Sequence, residues 1–250
     1  MNVTGEDVDS LSRHFWLLPL IGLFYGVVAG GALYLLAPVL GPLVSAVLVL
    51  LIVHGLNRFL HFDGLIDLGD GFIATGSQEK KLTALKDTRV GAGGVGFGIL
   101  FTMLQVAALA LVAEEAYHPS LLFFLPLAME VLAKNALVTA AALGKAREGL
   151  GSPFVRNTPP LHAALSAVLS FLLLAAVLVL IGNWYTAYMV PLIVLMVLAS
   201  SVVSVIVAAL AHRSFGCVNG DVLGATNELA KPFVLIAGMV GVVLFLLMFS

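Results

Sequence analysis

Two long stretches of this sequence contain no Asp, Glu, Lys or Arg, and they decide the kind of fold the chain can adopt. They run from His14 to Asn57 and from Leu161 to His212. A helix that crosses a bilayer needs about 20 apolar residues, so each stretch is long enough for two crossings. Charged residues make up 10% of the chain, against about a quarter in soluble proteins. The sequence therefore predicts an integral membrane protein.

Turn-forming residues divide these stretches, and the other apolar segments complete the set of spans. Pro38, Gly41 and Pro42 interrupt the first stretch, and Gly-Asn-Trp-Tyr at 182–185 interrupts the second. We predict an all-α integral membrane fold, a bundle of about seven transmembrane helices forming one domain, 1–250. The spans are expected near 15–37, 42–59, 90–113, 119–143, 161–181, 186–212 and 232–248, with longer loops at 60–90, 144–160 and 213–231.

The basic residues predict the orientation of the bundle. Alternation across seven spans puts the N-terminus and the three longer loops on one side, where eleven of the 12 Lys and Arg residues lie. Basic residues are retained on the cytoplasmic side of a membrane. We therefore expect a multi-pass protein of the cytoplasmic membrane, with its N-terminus and its active-site loops facing the cytoplasm.

Three aspartates in the first longer loop predict a metal site. Asp63, Asp67 and Asp70 are spaced four and three residues apart, so a helix would put them on one stripe. Like charges on one stripe repel each other unless a cation lies among them. Mg²⁺ takes a few carboxylate oxygens and leaves its other positions to phosphate and water. The alternative is a solvated acidic turn beside the membrane.

Basic residues that follow the aspartates suit a phosphate ligand. Lys86, Asp87 and Arg89 precede the glycine-rich start of the third span. Cations beside a metal site would neutralise the oxygens of a phosphoanhydride, although lysines here are also explained as charges near lipid headgroups. The glycines would either let helices approach closely or keep side chains away from a ligand.

Two later polar segments could contribute to the same site. Arg147, followed by a glycine-rich turn, could bind phosphate through two hydrogen bonds or act as a topology charge. Asn219 and Asp221 form an Asn-Gly-Asp turn signal, and Asn227 and Glu228 follow. Asp221 could complete a metal shell or accept a proton from an attacking hydroxyl.

Two ionisable residues lie inside the fourth span. Glu130 and Lys134 are four residues apart with the glutamate first, which favours a helical ion pair. Ionisable residues within a span usually face a bundle interior or a cavity. They are therefore candidates for substrate binding, and the alternative is a mutually neutralised pair that only packs.

Several strings in this sequence resemble the cobalamin synthase family, adenosylcobinamide-GDP ribazoletransferase. The resemblance extends over the whole chain, with two departures: Ala133-Lys134 stands where the family commonly has Ser-Arg, and Asn219 stands where Thr is usual. The strings are His61-Phe-Asp63-Gly64-Leu65-Ile-Asp67-Leu-Gly-Asp70-Gly71, Lys86-Asp87-Thr88-Arg89-Val-Gly91-Ala-Gly93-Gly94, Ala146-Arg147-Glu148-Gly149-Leu150-Gly151 and Asn219-Gly220-Asp221-Val-Leu223-Gly224-Ala225-Thr226-Asn227-Glu228-Leu229.

The resemblance implies a Mg²⁺-dependent phosphotransferase that joins adenosylcobinamide-GDP to α-ribazole or its 5′-phosphate, with release of GMP. On this reading Asp63, Asp67 and Asp70 hold Mg²⁺, and Asp221 is a further ligand or the base. Arg89 and Arg147 neutralise the departing phosphate. The expected partners are these small molecules and membrane lipid, with no nucleic acid, and an oligomer is left open. The residues expected to bind substrate are Lys86, Asp87, Glu130, Lys134, Asn219, Asn227 and Glu228.

The alternatives to this function are a transporter and a CDP-alcohol phosphotransferase. A transporter would place its polar site near the bilayer midplane, whereas most polar residues here lie in loops of one face. A CDP-alcohol phosphotransferase also presents an Asp-Gly motif and uses a divalent metal, but it has Ala-Arg after its first aspartate pattern, where this chain has Leu65-Ile66 after Gly64.

Overall fold

The fold is all-helical throughout the part of the chain that the structure describes. The structure is a computed structural model, and it describes residues 5–115, 118–147, 149, 151–181 and 186–249. A 3₁₀ turn, Phe15–Leu17, follows the first helix. The helices are α1 (Gly5–Arg13), α2 (Leu18–Leu40), α3 (Pro42–Leu56), α4 (Leu60–Ile73), α5 (Gln78–Leu85), α6 (Ala92–Glu115), α7 (Pro119–Leu143), α8 (Ser152–Arg156), α9 (Pro160–Leu180), α10 (Thr186–Phe215) and α11 (Gly220–Phe249).

The predicted membrane bundle is confirmed. Six described helices are long and apolar enough to cross a bilayer, and a seventh span is obtained if α3 and α4 form one broken span. The predicted interruption at 182–185 lies outside the described residues. The side of the membrane that each end faces stays a prediction.

An elbow separates α3 from α4. The two helix axes differ in direction by 98°, and Arg58 and Phe59 adopt left-handed backbone conformations with φ of 55° and 59°. Such conformations are costly for residues other than glycine, and they persist where the surrounding structure fixes them. The elbow turns α4 away from α3. Asp63, Asp67 and Asp70 therefore lie on a packed helix instead of in a loop.

The helix α7 is the centre of the bundle, where it contacts α2, α9, α10 and α11. Its closest neighbour is α2, which presents Gly22, Gly26 and Gly30 to it. A Cβ atom at Gly26 would lie 2.7 Å from the carbonyl oxygen of Leu127. Since lipid gives helices little hydrophobic reason to associate, close backbone packing through small residues holds such pairs together.

Short polar side chains join α7 to α10. Ser200 donates to the carbonyl of Leu132 at 2.7 Å, and Ser204 donates to the carbonyl of Ala136 at 2.8 Å. Asn135 donates to the Ser200 hydroxyl at 3.1 Å. These buried hydrogen bonds fix the rotation of α10 against the central helix.

The N-terminal segment and the three polar regions meet at one end of the bundle, here called the polar end. Asn157 donates to Asp9 at 3.0 Å, which ties α1 to the residues after α8. Gln78 donates to the carbonyl of Arg213 at 3.1 Å. A backbone bridge joins Ala146 to Val218. These contacts bring together segments that the sequence placed on one face.

Two of the predicted loops are shorter than expected. The region 60–90 contains α4 and α5, and 220–231 is the first part of α11 instead of a loop. The extension of α11 has a physical reason, because the polar residues Asn227, Glu228 and Lys231 are paired inside the bundle. Lys231 was counted among the basic residues of one face, and the structure buries it completely.

Candidate functional site

The close contact between α4 and α11 places the acidic residues of the two helices side by side. A Cβ atom at Gly64 would lie 2.6 Å from the carbonyl oxygen of Asp221. Asp63, Asp70 and Asp221 all act electrostatically on Asp67. Asp63 is exposed, whereas Asp67 and Asp221 are half-buried. We call Asp63, Asp67 and Asp221 the acidic group.

Asp70 has a different role from the other aspartates of α4. Its two carboxylate oxygens accept hydrogen bonds from the backbone N–H groups of Gly91 at 2.7 Å and Gly94 at 2.8 Å. Free N–H groups at a helix start attract a carboxylate. The structure shows that Asp70 holds the start of α6 against α4, and its predicted part in binding a metal stays a prediction.

The glycines at the start of α6 allow this arrangement. A Cβ atom at Gly94 would lie 2.6 Å from a carboxylate oxygen of Asp70, and one at Gly93 would lie 2.7 Å from the carbonyl oxygen of Gly69. Of the two interpretations of this glycine run, the structure therefore favours close packing of helices.

The acidic group fits Mg²⁺ if substrate supplies part of the coordination shell. Among the described residues, no three His, Cys, Asp or Glu side chains are grouped so that they could hold a metal between them. Mg²⁺ is usually bound by one or two carboxylates together with substrate phosphates. The described chain forms no ion pair with Asp63, Asp67 or Asp221, so their charges stay available to such an ion.

Asn219 orients Asp221 and begins α11. Its side-chain oxygen accepts from the N–H of Val222 at 3.1 Å, as an N-cap residue does. Its side-chain nitrogen donates to the Asp221 carboxylate at 2.8 Å. Predicted as a substrate ligand, Asn219 is mostly buried and contacts the acidic group through these two hydrogen bonds.

Arg89 and Asp87 are paired with each other on the surface. The guanidinium of Arg89 donates to both carboxylate oxygens of Asp87, at 3.1 and 2.9 Å. These hydrogen bonds lower the pKa of Asp87 to about 2, so this carboxylate is ionised at neutral pH. The structure thus does not show Arg89 as a free phosphate ligand.

A cleft at the polar end collects three cationic side chains. It has a volume of about 790 Å³ and is lined by Lys86, Arg147 and Arg156, with Glu79 as the acidic residue of the lining. Lys86 also acts electrostatically on Asp221. The cleft therefore borders the acidic group, and Lys86 lies within range of both. We call it the cationic cleft.

The backbone bridge between Ala146 and Val218 positions Arg147 in this cleft. The chain is also tightly packed at Gly151, where a Cβ atom would overlap the backbone of Gly220. Cys217 lies buried beside this contact, and burial raises the pKa of its thiol. Two segments that are far apart in sequence thus meet where α11 begins.

The remaining predicted ligands lie in the interior of the bundle, not at the polar end. Lys134 donates to the side-chain oxygen of Asn227 at 2.6 Å and lies 3.8 Å from Glu130. Lys231 contacts Glu130 at 3.2 Å and Glu228 at 3.0 Å. These five residues, here called the buried network, are two acids, two bases and one amide, so their charges balance.

Two further helices contribute polar groups beside the buried network. Gln105 of α6 donates to a carboxylate oxygen of Glu228 at 3.3 Å, and the ring of His54 of α3 lies 4.0 Å from the same carboxylate. Such pairing makes ionised groups tolerable in a membrane interior. The network joins α3, α6, α7 and α11, and its Glu228 follows Asp221 by about two turns of α11.

Arg156 of the cationic cleft and Lys231 of the buried network were not among the predicted site residues. Arg156 was counted as a topology charge, and nothing local distinguishes it from the other basic residues. Lys231 could have been found from the sequence, because it follows Glu228 by three residues, the spacing of a helical ion pair. That spacing has no such meaning in a loop, and 213–231 was predicted to be one.

Replacing Gly64 by Ala is expected to reduce activity by about 100-fold, since a displacement of about 1 Å at a reacting centre can cost that much. The new methyl group would push α11 away from α4 and move Asp221 relative to Asp67. Turnover and the melting temperature in detergent measure the effect. Gly96→Ala is the matched control, because a Cβ atom there would meet nothing within 4 Å. Equal activities of the two variants would contradict the argument.

The fold and the site together define a multi-pass membrane protein whose acidic group and cationic cleft lie at one end of the bundle. Residues 2–240 match the cobalamin-5-phosphate synthase family. The chain belongs to this family, as its sequence motifs predicted.

Individual relatives agree with this assignment. The adenosylcobinamide-GDP ribazoletransferase of Methanocella arvoryzae is 33% identical, over 98% of this chain and 92% of that protein. The protein of the same name from Halorubrum lacusprofundi is 34% identical, over 92% and 88%. That from Methanococcoides burtonii is 31% identical, over 94% and 85%. No solved structure matches the chain.

Proposed function

We propose that this protein transfers a cobinamide phosphate group from adenosylcobinamide-GDP to a hydroxyl of α-ribazole or its 5′-phosphate. The hydroxyl oxygen forms a bond to the cobinamide-side phosphorus. The bond from that phosphorus to the bridging anhydride oxygen breaks, and GMP leaves with the bonding electrons. The hydroxyl proton passes to a carboxylate. The product is a phosphodiester, adenosylcobalamin or its phosphate.

The observation that carries this proposal is the meeting of the acidic group and the cationic cleft at one end of the bundle. Phosphoryl transfer is catalysed mainly by positioning and by neutralisation of charge on phosphate oxygens. Carboxylates that can hold a metal therefore belong beside cations that can receive a leaving phosphate. Lys86 links the two regions, since it lines the cleft and acts on Asp221.

One or two carboxylates of the acidic group, together with substrate phosphate oxygens, would hold Mg²⁺, which would supply positive charge to the anhydride oxygens. Asp221 would be one of these ligands or would accept the hydroxyl proton, and the hydrogen bond from Asn219 that orients its carboxylate supports either role. Arg147 and Lys86 bind the departing phosphate. Arg89 would have to exchange its bonds to Asp87 for substrate in order to join them.

The setting of the reaction follows from the distribution of charge. We place the protein in the cytoplasmic membrane with the polar end in the cytoplasm, because eleven of its basic residues were assigned to one face by sequence and all of these except Lys231 lie outside the bundle interior. Soluble substrates would reach the acidic group from that side. Because the chain belongs to the cobalamin-5-phosphate synthase family, we propose neither transport nor CDP-alcohol phosphotransfer as its function.

The experiment that tests the proposal is turnover by the detergent-purified protein. Adenosylcobinamide-GDP, α-ribazole and Mg²⁺ are supplied, and release of GMP is expected together with an equal amount of corrinoid product. Chelation of Mg²⁺ is expected to stop the reaction and its return to restore it. A folded protein that turns over neither α-ribazole nor its 5′-phosphate, but accepts a CDP-alcohol, would overturn the proposal.

A further inference from the structure

We propose that the cationic cleft is the binding site for the guanosine monophosphate half of the substrate, and that Arg156 is one of its phosphate ligands. This inference rests on the proposed function for the identity of the nucleotide. It adds a bounded site and a residue that neither the sequence motifs nor the family match assigned.

The size of the cleft suits a nucleotide. Its volume of about 790 Å³ lies in the range of roughly 300–1,000 Å³ that small-molecule sites occupy. Its walls come from α5, from the segment after α7 and from α8, and the hydroxyls of Thr83 and Ser152 add polar groups to the lining. A ligand there would contact three separate parts of the chain.

The charges in the cleft point to an anion. Lys86, Arg147 and Arg156 face the same space, and no described residue forms an ion pair with any of them. Three cations beside one carboxylate repel one another, and a phosphate group would relieve that repulsion. The polar end thus contains, next to each other, an acidic group and a cleft in which three cations face one carboxylate, Glu79.

Arg156 makes one hydrogen bond that orients its guanidinium. Its guanidinium donates to the hydroxyl of Ser152 at 2.8 Å, and Ser152 is almost fully buried. A guanidinium fixed in this way keeps further N–H groups for the two parallel hydrogen bonds that phosphate accepts. Less side-chain freedom is lost on binding, so the affinity for phosphate is higher.

The two contacts of Lys86 indicate which half of the substrate the cleft would bind. Lys86 lines the cleft and acts electrostatically on Asp221, so the phosphate that stays with guanosine would be in the cleft while the cobinamide-side phosphorus would be near the acidic group. GMP should then remain bound after the bond breaks, and it should compete with adenosylcobinamide-GDP for the free enzyme.

The test is equilibrium binding of GMP alone to the purified protein in detergent, without corrinoid or α-ribazole. Arg156→Ala is expected to weaken GMP binding by about 10- to 100-fold, the effect of losing a hydrogen bond between charged groups, and Arg156→Lys by less. The matched control is Arg213→Ala, because Arg213 is an exposed arginine near the polar end that does not line the cleft. In turnover, Arg156→Ala should raise KM for adenosylcobinamide-GDP and leave KM for α-ribazole unchanged.

Each outcome bears on one of the two proposals. Wild-type turnover with GMP binding that Arg156→Ala and Arg213→Ala weaken equally would overturn the cleft assignment and leave the function standing. GMP binding that depends on Arg156, in a protein without turnover, would support the cleft and count against the function. GMP inhibition that is competitive with α-ribazole instead of adenosylcobinamide-GDP would also overturn the cleft assignment.

Discussion

Replacing Asp67 by Asn is expected to reduce turnover by about 100-fold or more with the fold retained. Asp63, Asp70 and Asp221 all act electrostatically on Asp67, so Asp67 belongs to the same cluster of carboxylates. Removal of its charge would weaken the binding of Mg²⁺. A metal ion contributes several kcal/mol to a transition state of this kind, and about 1.4 kcal/mol corresponds to a factor of ten in rate. The substitution keeps the size of the side chain, so packing of α4 on α11 should be unaffected.

The measurement is GMP release at increasing Mg²⁺ concentration for the wild type and the variant. If Asp67 is a metal ligand, part of the lost activity should return at high Mg²⁺. If its role is purely structural, the activity should not return. Glu115→Gln is the control, because it removes an exposed carboxylate at the far end of α6. Unchanged activity of Asp67→Asn would remove this residue from the site and leave Asp63 and Asp221 as the candidates.

The second large effect is expected at Lys231, whose replacement by Met should destabilise the protein by about 3–5 kcal/mol, the usual cost of removing one partner from a buried ion pair. Lys231 is fully buried and contacts both Glu130 and Glu228. Its loss would leave two carboxylates inside the bundle with Lys134 as the remaining cation of the buried network. The apparent melting temperature in detergent is the measurement.

A second substitution separates charge balance from simple packing. Glu228→Gln combined with Lys231→Met leaves Glu130 paired with Lys134, so the double variant should recover much of the lost stability. Lys145→Met is the control, because Lys145 is exposed and surface substitutions usually change stability by less than about 0.5 kcal/mol. If the stability lost in the double variant equalled the sum of the losses in the two single variants, charge balance would not be what stabilises the network.

The sequence alone determined the membrane bundle and the end at which its polar segments gather. Spans can be recognised because the apolar length needed to cross a bilayer is a local property of the chain. Six of the predicted spans correspond to helices long enough to cross, the last of which begins earlier than predicted, at Gly220. The predicted span 42–59 corresponds to α3, which is too short to cross alone and turns by 98° into α4. The motifs around Asp63 and Asp221 also predicted the family, because their order of glycine and aspartate is local too.

The tertiary structure decided which polar group meets which. Asp63, Asp67 and Asp70 look equivalent in sequence, yet Asp70 binds the start of α6, where glycines leave room for its carboxylate. Lys134 and Asn227 are 93 residues apart and share a hydrogen bond, which turns predicted substrate ligands into a buried network. Arg156 enters the cationic cleft because the chain around α8 packs against the start of α11. Hydropathy places a helix in the membrane, but a carboxylate or a guanidinium acquires its role from neighbours that only the packing of distant helices supplies.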